Sequence, residues 1–185
     1  IQGIPTLIVD MDPQGNATSS LGLEKKPGRG VYEPLLSGAD LSERVLSTGR
    51  KNLWIVPSEI DLAAAELELS AQNNYLIKLR SSINRLKNEY GLRCILIDCP
   101  PTLGLLSMNS LCAADHLLVT LQSEYLALEG LGQIIGVIEQ LKSAGANPNL
   151  SLGGIVMTMY DNRTRLSYEV WQEVTNHYPE KVFRT

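Results

Sequence analysis

Apolar residues along the chain recur with two periods, and the two alternate. Short unbroken runs come at Thr6-Leu7-Ile8-Val9, Asn52 to Val56, Cys94-Ile95-Leu96-Ile97, His116 to Leu121 and Leu152 to Tyr160. The first of these is too short and too β-branched for a helix and shows no polar alternation. It predicts a strand covered on both faces of a parallel sheet, and the later runs follow suit. Between them, apolar positions recur every three or four residues. Leu62, Ala65 and Leu69, with Glu66 on an acidic flank that reads as surface charge, mark a helix over Glu59 to Ser70 with Ser58 as its cap; Leu76, Leu79, Ile83 and Leu86 mark one from about Tyr75 to Tyr90, ended by Gly91. Further helices are predicted over Leu105 to Ala114, about Leu128 to Ala144, and about Leu166 to His177. A short one runs from Asn16, as a possible cap, to Leu21 before Gly22. Lys181 to Thr185 reads as the start of another strand. Strands alternating with helices imply an α/β domain whose mostly parallel sheet carries helices on both faces.

Composition narrows this picture. At 185 residues, 44% of them hydrophobic, the chain suits one domain, residues 1–185, built around one sheet. A net charge of −4 argues against a constitutive nucleic-acid binder but leaves room for a local patch. The basic loop Lys25 to Gly30 reads first as a solvated turn. Cys94, Cys99 and Cys112 are odd in number and form no C-x-x-C pair, which fits reduced thiols in a cytoplasmic protein. No apolar run reaches the length of a membrane span, and no charged leader precedes a hydrophobic segment. The phosphate-cradling pattern G-x-x-x-x-G-K-[ST] does not occur, nor does any Gly-Lys pair. Ile1 to Pro5 reads as the tail of a connection, so the chain is expected to be a piece of a longer protein, unable to turn over nucleotide alone.

Candidate chemistry sits where strands end in acids. Asp10 and Asp12 close the first apolar run, and Asp98 closes the third. Ligands of open parallel sheets bind outside the carboxyl ends of the strands, so these carboxylates are placed for a metal, a phosphate-bound water or a ribose. Arg163, in the loop after the fifth strand, could meet a phosphate or DNA. His116 has no partner at ligand spacing.

The nine residues Asp10-Met11-Asp12-Pro13-Gln14-Gly15-Asn16-Ala17-Thr18 closely resemble the second nucleotide motif of the ParA/Soj family of deviant Walker-type ATPases. Asp98-Cys99-Pro100-Pro101-Thr102-Leu103-Gly104 is similar to the family's D-x-P-P-S-x-G, with Cys99 and Thr102 as mild departures. Asn109 to Asp115, Gln122 to Gly130 and Thr158 to Leu166 also match, in order, so the resemblance covers nearly the whole chain. It implies a P-loop NTPase-like fold lacking its first strand, phosphate loop and C-terminal part here. For the parent protein it implies ATP and Mg²⁺ as cofactors, ATP-dependent homodimerisation, non-specific DNA binding, slow hydrolysis stimulated by a ParB-like partner, and a nucleoid-associated cytoplasmic location without membrane. By that resemblance Asp12 is the catalytic group at the attacking water, and Asp98, with Asp10, is the metal neighbour. Asp10, Gln14, Asn16 and Asn109 fall on the nucleotide side, although Asn109 is equally readable as a structural amide. Gln122 and Glu124 are dimer candidates. The alternatives are a MinD-like or iron–sulfur member of the same superfamily, or a non-catalytic scaffold with the same fold.

Overall fold

The computed structural model describes residues 3–89 and 91–183. Tyr90, the expected end of one helix, and Arg184-Thr185, the expected continuation of the last strand, lie outside them. By contacts the chain divides into two compact units, Ile1–Ala113 and Ala114–Thr185.

In the first unit a four-stranded sheet has the order β2-β3-β1-β4. Its strands are β1 (Thr6–Asp10), β2 (Leu46–Ser47), β3 (Leu53–Val56) and β4 (Cys94–Asp98). β1 is central and parallel to both neighbours, while the two-residue β2, which the hydrophobic pattern does not announce, runs antiparallel to β3. Register places Leu7 between Trp54 and Ile95, Val9 between Val56 and Ile97, and Asp10 beside Asp98. Because side chains alternate across a strand, Leu7, Val9 and Met11 share one face. On it they meet Leu35, Leu62, Leu69, Leu79, Ile83, Leu86 and Leu106, all buried. These come from α2 (Tyr32–Ser37), a turn at Ile60–Ala63, α3 (Ala65–Ser70), α4 (Lys78–Glu89) and α5 (Leu105–Ala113). Each large side chain withdrawn from water there is worth about 1.5–3 kcal/mol. The opposite face is less evenly covered than a strand buried on both sides would be: Ile55 is buried, but Leu96 is 52% exposed.

The second unit holds a three-stranded parallel sheet, β5 (His116–Gln122), β6 (Ser151–Thr158) and β7 (Val182–Phe183), with α6 (Tyr125–Ser143) and α7 (Arg165–His177). Val119, Leu121, Leu131, Ile155, Met157, Val170 and Val174 form its core. β5 was expected to be buried throughout, yet His116, Leu118, Thr120 and Gln122 are exposed, because only the residues of alternate parity pack on that core. Gly153 is an extra residue where the β5–β6 register shifts, and the His116 side chain crowds the space a Cβ would need there. The strands thus fall into one sheet in each unit, where a single sheet was expected.

Local departures from the expected elements have physical causes. The Glu59–Ser70 helix is a tight turn followed by α3, and Ser58 does not cap it, because its hydroxyl donates to the Asp12 carbonyl. Asn16 is the first residue of α1 (Asn16–Ser20), not its cap; the preceding residue is Gly15 in the left-handed region (φ 65°). α6 begins three residues early because Glu124 is already an extended N-cap. β6 stops at Thr158 rather than Tyr160, since Met159 turns into the left-handed region (φ 55°).

Glu66 reads from sequence as a surface charge. In the structure its Oε1 accepts the Leu106 backbone N–H at 3.2 Å, one of the unpaired donors of the first turn of α5. A negative charge there also meets the positive end of the helix dipole. The carboxylate lies so close to Gly104 that a Cβ there would displace it. Glu66→Ala is expected to destabilise the protein by about 1 kcal/mol, seen as a lower denaturant midpoint with unchanged slope.

Candidate functional site

β1 and β4 deliver three carboxylates to the carboxyl edge of the first unit's sheet. Asp10, the last residue of β1, is fully buried. Its Oδ1 accepts the Asp12 N–H at 3.2 Å, and its Oδ2 accepts both the Thr18 N–H (2.8 Å) and the Thr18 hydroxyl (2.6 Å). The buried Thr18 hydroxyl oxygen in turn accepts the Ser58 N–H at 3.0 Å, and the Ser58 hydroxyl donates to the Asp12 carbonyl at 2.6 Å. A closed ring of hydrogen bonds therefore ties the end of β1, the first turn of α1 and the exit of β3. Such a ring is costly to break, because each buried member loses a partner.

Asp12 is nearly buried, and its Oδ1 accepts the Gln14 N–H at 2.9 Å. The Gly15 N–H closes the turn onto the Asp12 carbonyl at 2.8 Å. No protein donor among the described residues engages Asp12 Oδ2 or either side-chain oxygen of Asp98. Asp98 is exposed; partial burial, and then the charges of Asp10 and Asp12, push its carboxyl above the ordinary aspartate range. A carboxylate without donors in a negative field suits a cation. Asp10 differs from Asp12 and Asp98: both its oxygens already accept from protein donors, which tie it to the turn. No group of three or more His, Cys, Asp or Glu among the described residues is arranged to hold a metal ion by protein ligands alone. A shallow cleft of about 290 Å³, lined by Ile8, Ala17, Leu96, Ile97 and Asp98, opens beside this edge.

The remaining expected residues are distributed unevenly. Gln14 and Asn16 are exposed on the turn that follows Asp12. Asn109 is buried and spent on packing: its Oδ1 accepts from the Leu79 N–H (3.4 Å) and its Nδ2 donates to the Leu105 carbonyl (3.1 Å). No hydrogen bond among the described residues joins it to the carboxylates. In the second unit Gln122 and Glu124 are exposed at the carboxyl end of β5. Arg163, 86% exposed, is gripped by Asp161 through contacts of 2.8 and 3.0 Å. That grip holds the Asp161 carboxyl below its usual range and fixes the guanidinium in a turn, where Thr164 caps α7. Burial raises the Cys99 thiol, which disfavours its thiolate. Two members of the hydrogen-bond ring were not legible in that role, Thr18 and Ser58: Thr18 lay inside the recognised motif, and Ser58 read only as a helix cap.

Comparison with known proteins bears on the family of the chain. The family model described as AAA domain matches residues 1–152. A chromosome partitioning protein ParA of Myxococcus xanthus is 45% identical over 179 residues, covering 96% of this chain and 62% of its own. The chromosome-partitioning ATPase Soj of Treponema pallidum is 42% identical over 185 residues, covering 100% of this chain and 71% of its own. Among solved structures, cobyrinic acid a,c-diamide synthase from Mycobacterium smegmatis with bound ADP and magnesium has a TM-score of 0.86 at 37% identity, covering 96% of this chain and 71% of that one. Together these define a P-loop NTPase-like α/β domain of the AAA type. Within that class, the chain belongs to the ParA/Soj family of partitioning ATPases. It spans a little under two thirds of the Myxococcus relative's length.

The raised carboxyl of Asp98 has a stability consequence. A carboxyl raised in the folded state makes stability fall as pH rises through the window above its unfolded value, and the loss persists above it. Asp98→Asn is therefore expected to raise the thermal midpoint at about pH 7, by less than about 1 kcal/mol in stability given the solvent screening, with the gain vanishing near pH 3. A midpoint unchanged at neutral pH would contradict a raised Asp98 carboxyl, whose first cause is burial and whose second is the charge of Asp10 and Asp12.

Proposed function

We propose that the protein is an ATP-dependent DNA-partitioning switch for a chromosome or plasmid. The observation that carries this reading is the division of labour among the carboxylates. Asp10 is consumed by the turn, while Asp12 and Asp98 keep oxygens free at the edge where a nucleotide phosphate would lie, in a chain 45% identical to a ParA. In this reading residues 1–185 belong to one nucleotide-binding domain.

ATP is the substrate. Asp12, held through Oδ1 by the Gln14 N–H, uses its free Oδ2 to orient the attacking water and take up its proton. Asp98 would hold Mg²⁺, directly or through water; bound there, the ion supplies positive charge against the phosphate oxygens. Gln14 and Asn16 border the nucleotide. Asn109 supports the α4–α5 packing rather than the nucleotide. Gln122 and Glu124 face a second copy in the ATP-bound dimer, and Arg163 contacts phosphate or DNA. DNA is bound without sequence preference by a surface completed on dimerisation, which reconciles it with a net charge of −4. A ParB-like partner stimulates hydrolysis, and the protein works on the nucleoid in the cytoplasm. Among the described residues no helix is long and apolar enough to cross a membrane. The Mycobacterium smegmatis relative is a synthase by name, so nucleotide use is the broader common ground and DNA retention the discriminating property.

The test is ATP hydrolysis and DNA retention by the full-length protein beside its Asp12→Ala variant. The expected result is slow turnover and ATP-dependent DNA binding in the parent. In the variant, turnover falls by roughly 10²-fold or more while DNA stays bound. A parent that hydrolyses ATP but never retains DNA would overturn the partitioning role; one that binds no nucleotide would favour a non-catalytic scaffold.

A further inference from the structure

The basic loop after α1 is anchored at both ends. Glu59, fully buried, receives three backbone N–H groups from it: Gly28 at 2.6 Å on Oε2, and Gly30 at 3.1 Å and Tyr32 at 3.0 Å on Oε1. Gly30 approaches so closely that a Cβ would collide with the Pro57 carbonyl and the Glu59 carboxylate. At the other end Lys25, half-buried, crosses the turn that carries Asp12. Its Nζ donates to the Gln14 carbonyl at 2.6 Å and reaches the Pro13 carbonyl at 3.4 Å. Its aliphatic stem fills the space over Gly15 where a Cβ would stand.

The two carbonyls that Lys25 engages belong to two consecutive peptide groups. The Pro13–Gln14 peptide turns its N–H to Asp12 Oδ1, and the Gln14–Gly15 peptide turns its N–H to the Asp12 carbonyl. In a trans peptide the C=O and N–H point in opposite directions. Each of these two planes is therefore clamped between the Lys25 ammonium on one side and Asp12 on the other. A cation on the carbonyl side also polarises the peptide and strengthens the N–H bond opposite.

We propose that Lys25 is a positioning residue for Asp12. It acts through the two peptide groups and is itself held in place by the strap that Glu59 anchors. The basic residue thus serves the turn rather than a nucleic acid or a solvated loop. The inference rests on the assignment of Asp12 to the attacking water only for its kinetic consequence; the structural brace stands without it.

The experiment uses the full-length protein, Lys25→Met, which keeps the stem and removes the charge, and Lys25→Arg, which keeps the donors. Amide hydrogen exchange is measured without nucleotide, and kcat and KM for ATP are measured separately. In Lys25→Met the Gln14 and Gly15 amides should exchange about tenfold faster, while amides of β1 and β3 are unchanged. Its kcat should fall by roughly tenfold or more with KM nearly constant, and Lys25→Arg should recover most of both. Unchanged exchange at Gln14 and Gly15 would overturn the brace. So would a loss confined to KM, which would make Lys25 a nucleotide-binding residue instead. A parent without ATPase activity would sink the functional reading of Asp12, yet the exchange measurement would still decide the brace.

Discussion

The site depends on one buried carboxylate. No ion pair among the described residues involves Asp10; it is stabilised by two backbone N–H groups and one hydroxyl, all supplied by the eight residues that follow it. Charge-assisted hydrogen bonds of this kind are the stronger sort, and removing any donor would leave a buried charge under-solvated. The chain must therefore leave β1, turn and return as α1 within that span. The second aspartate of the motif emerges at a fixed place as a result. Ser58, coming off the neighbouring strand, locks the same turn from the other side.

Glu59 and Glu66 repeat this principle farther out. Both are acids facing backbone N–H groups rather than bases, and both sit beside a glycine whose missing Cβ makes the approach possible. One fixes the strap behind Lys25, and the other fixes the start of α5. Main-chain donors held by acids, rather than ion pairs, shape the surroundings of the carboxylate edge. Among the described residues the salt bridges are mostly exposed, and such pairs contribute little.

Strands and helices were legible because their apolar residues kept clean periods, and Asp10, Asp12 and Asp98 were legible because each ends an apolar run. The resemblance supplied roles that spacing alone could not. What the sequence hid was pairing between distant positions. Nothing local distinguishes Asp10, which is consumed by the fold, from Asp12, which stays available; the difference lies in where Thr18 returns. Asn109 sat in a matching segment, yet its amide is spent on Leu79, thirty residues away. Ser58 looks like a cap, Glu59 like the first residue of a helix and Glu66 like a surface acid until their partners, twenty-seven to forty-six residues distant, are known. β2 escaped because two residues carry no period.

That two-residue strand closes off one route of self-association. Strands at the border of a sheet present unpaired backbone groups that can recruit other chains into aggregates. On the β3 side the first unit's sheet ends in Leu46–Ser47, followed by the exposed Gly49, Arg50 and Lys51. So short a border, flanked by two cations that repel an incoming copy, offers little for another strand to extend. Copies crowded together at high local concentration would therefore not be drawn into irreversible sheet growth on that side.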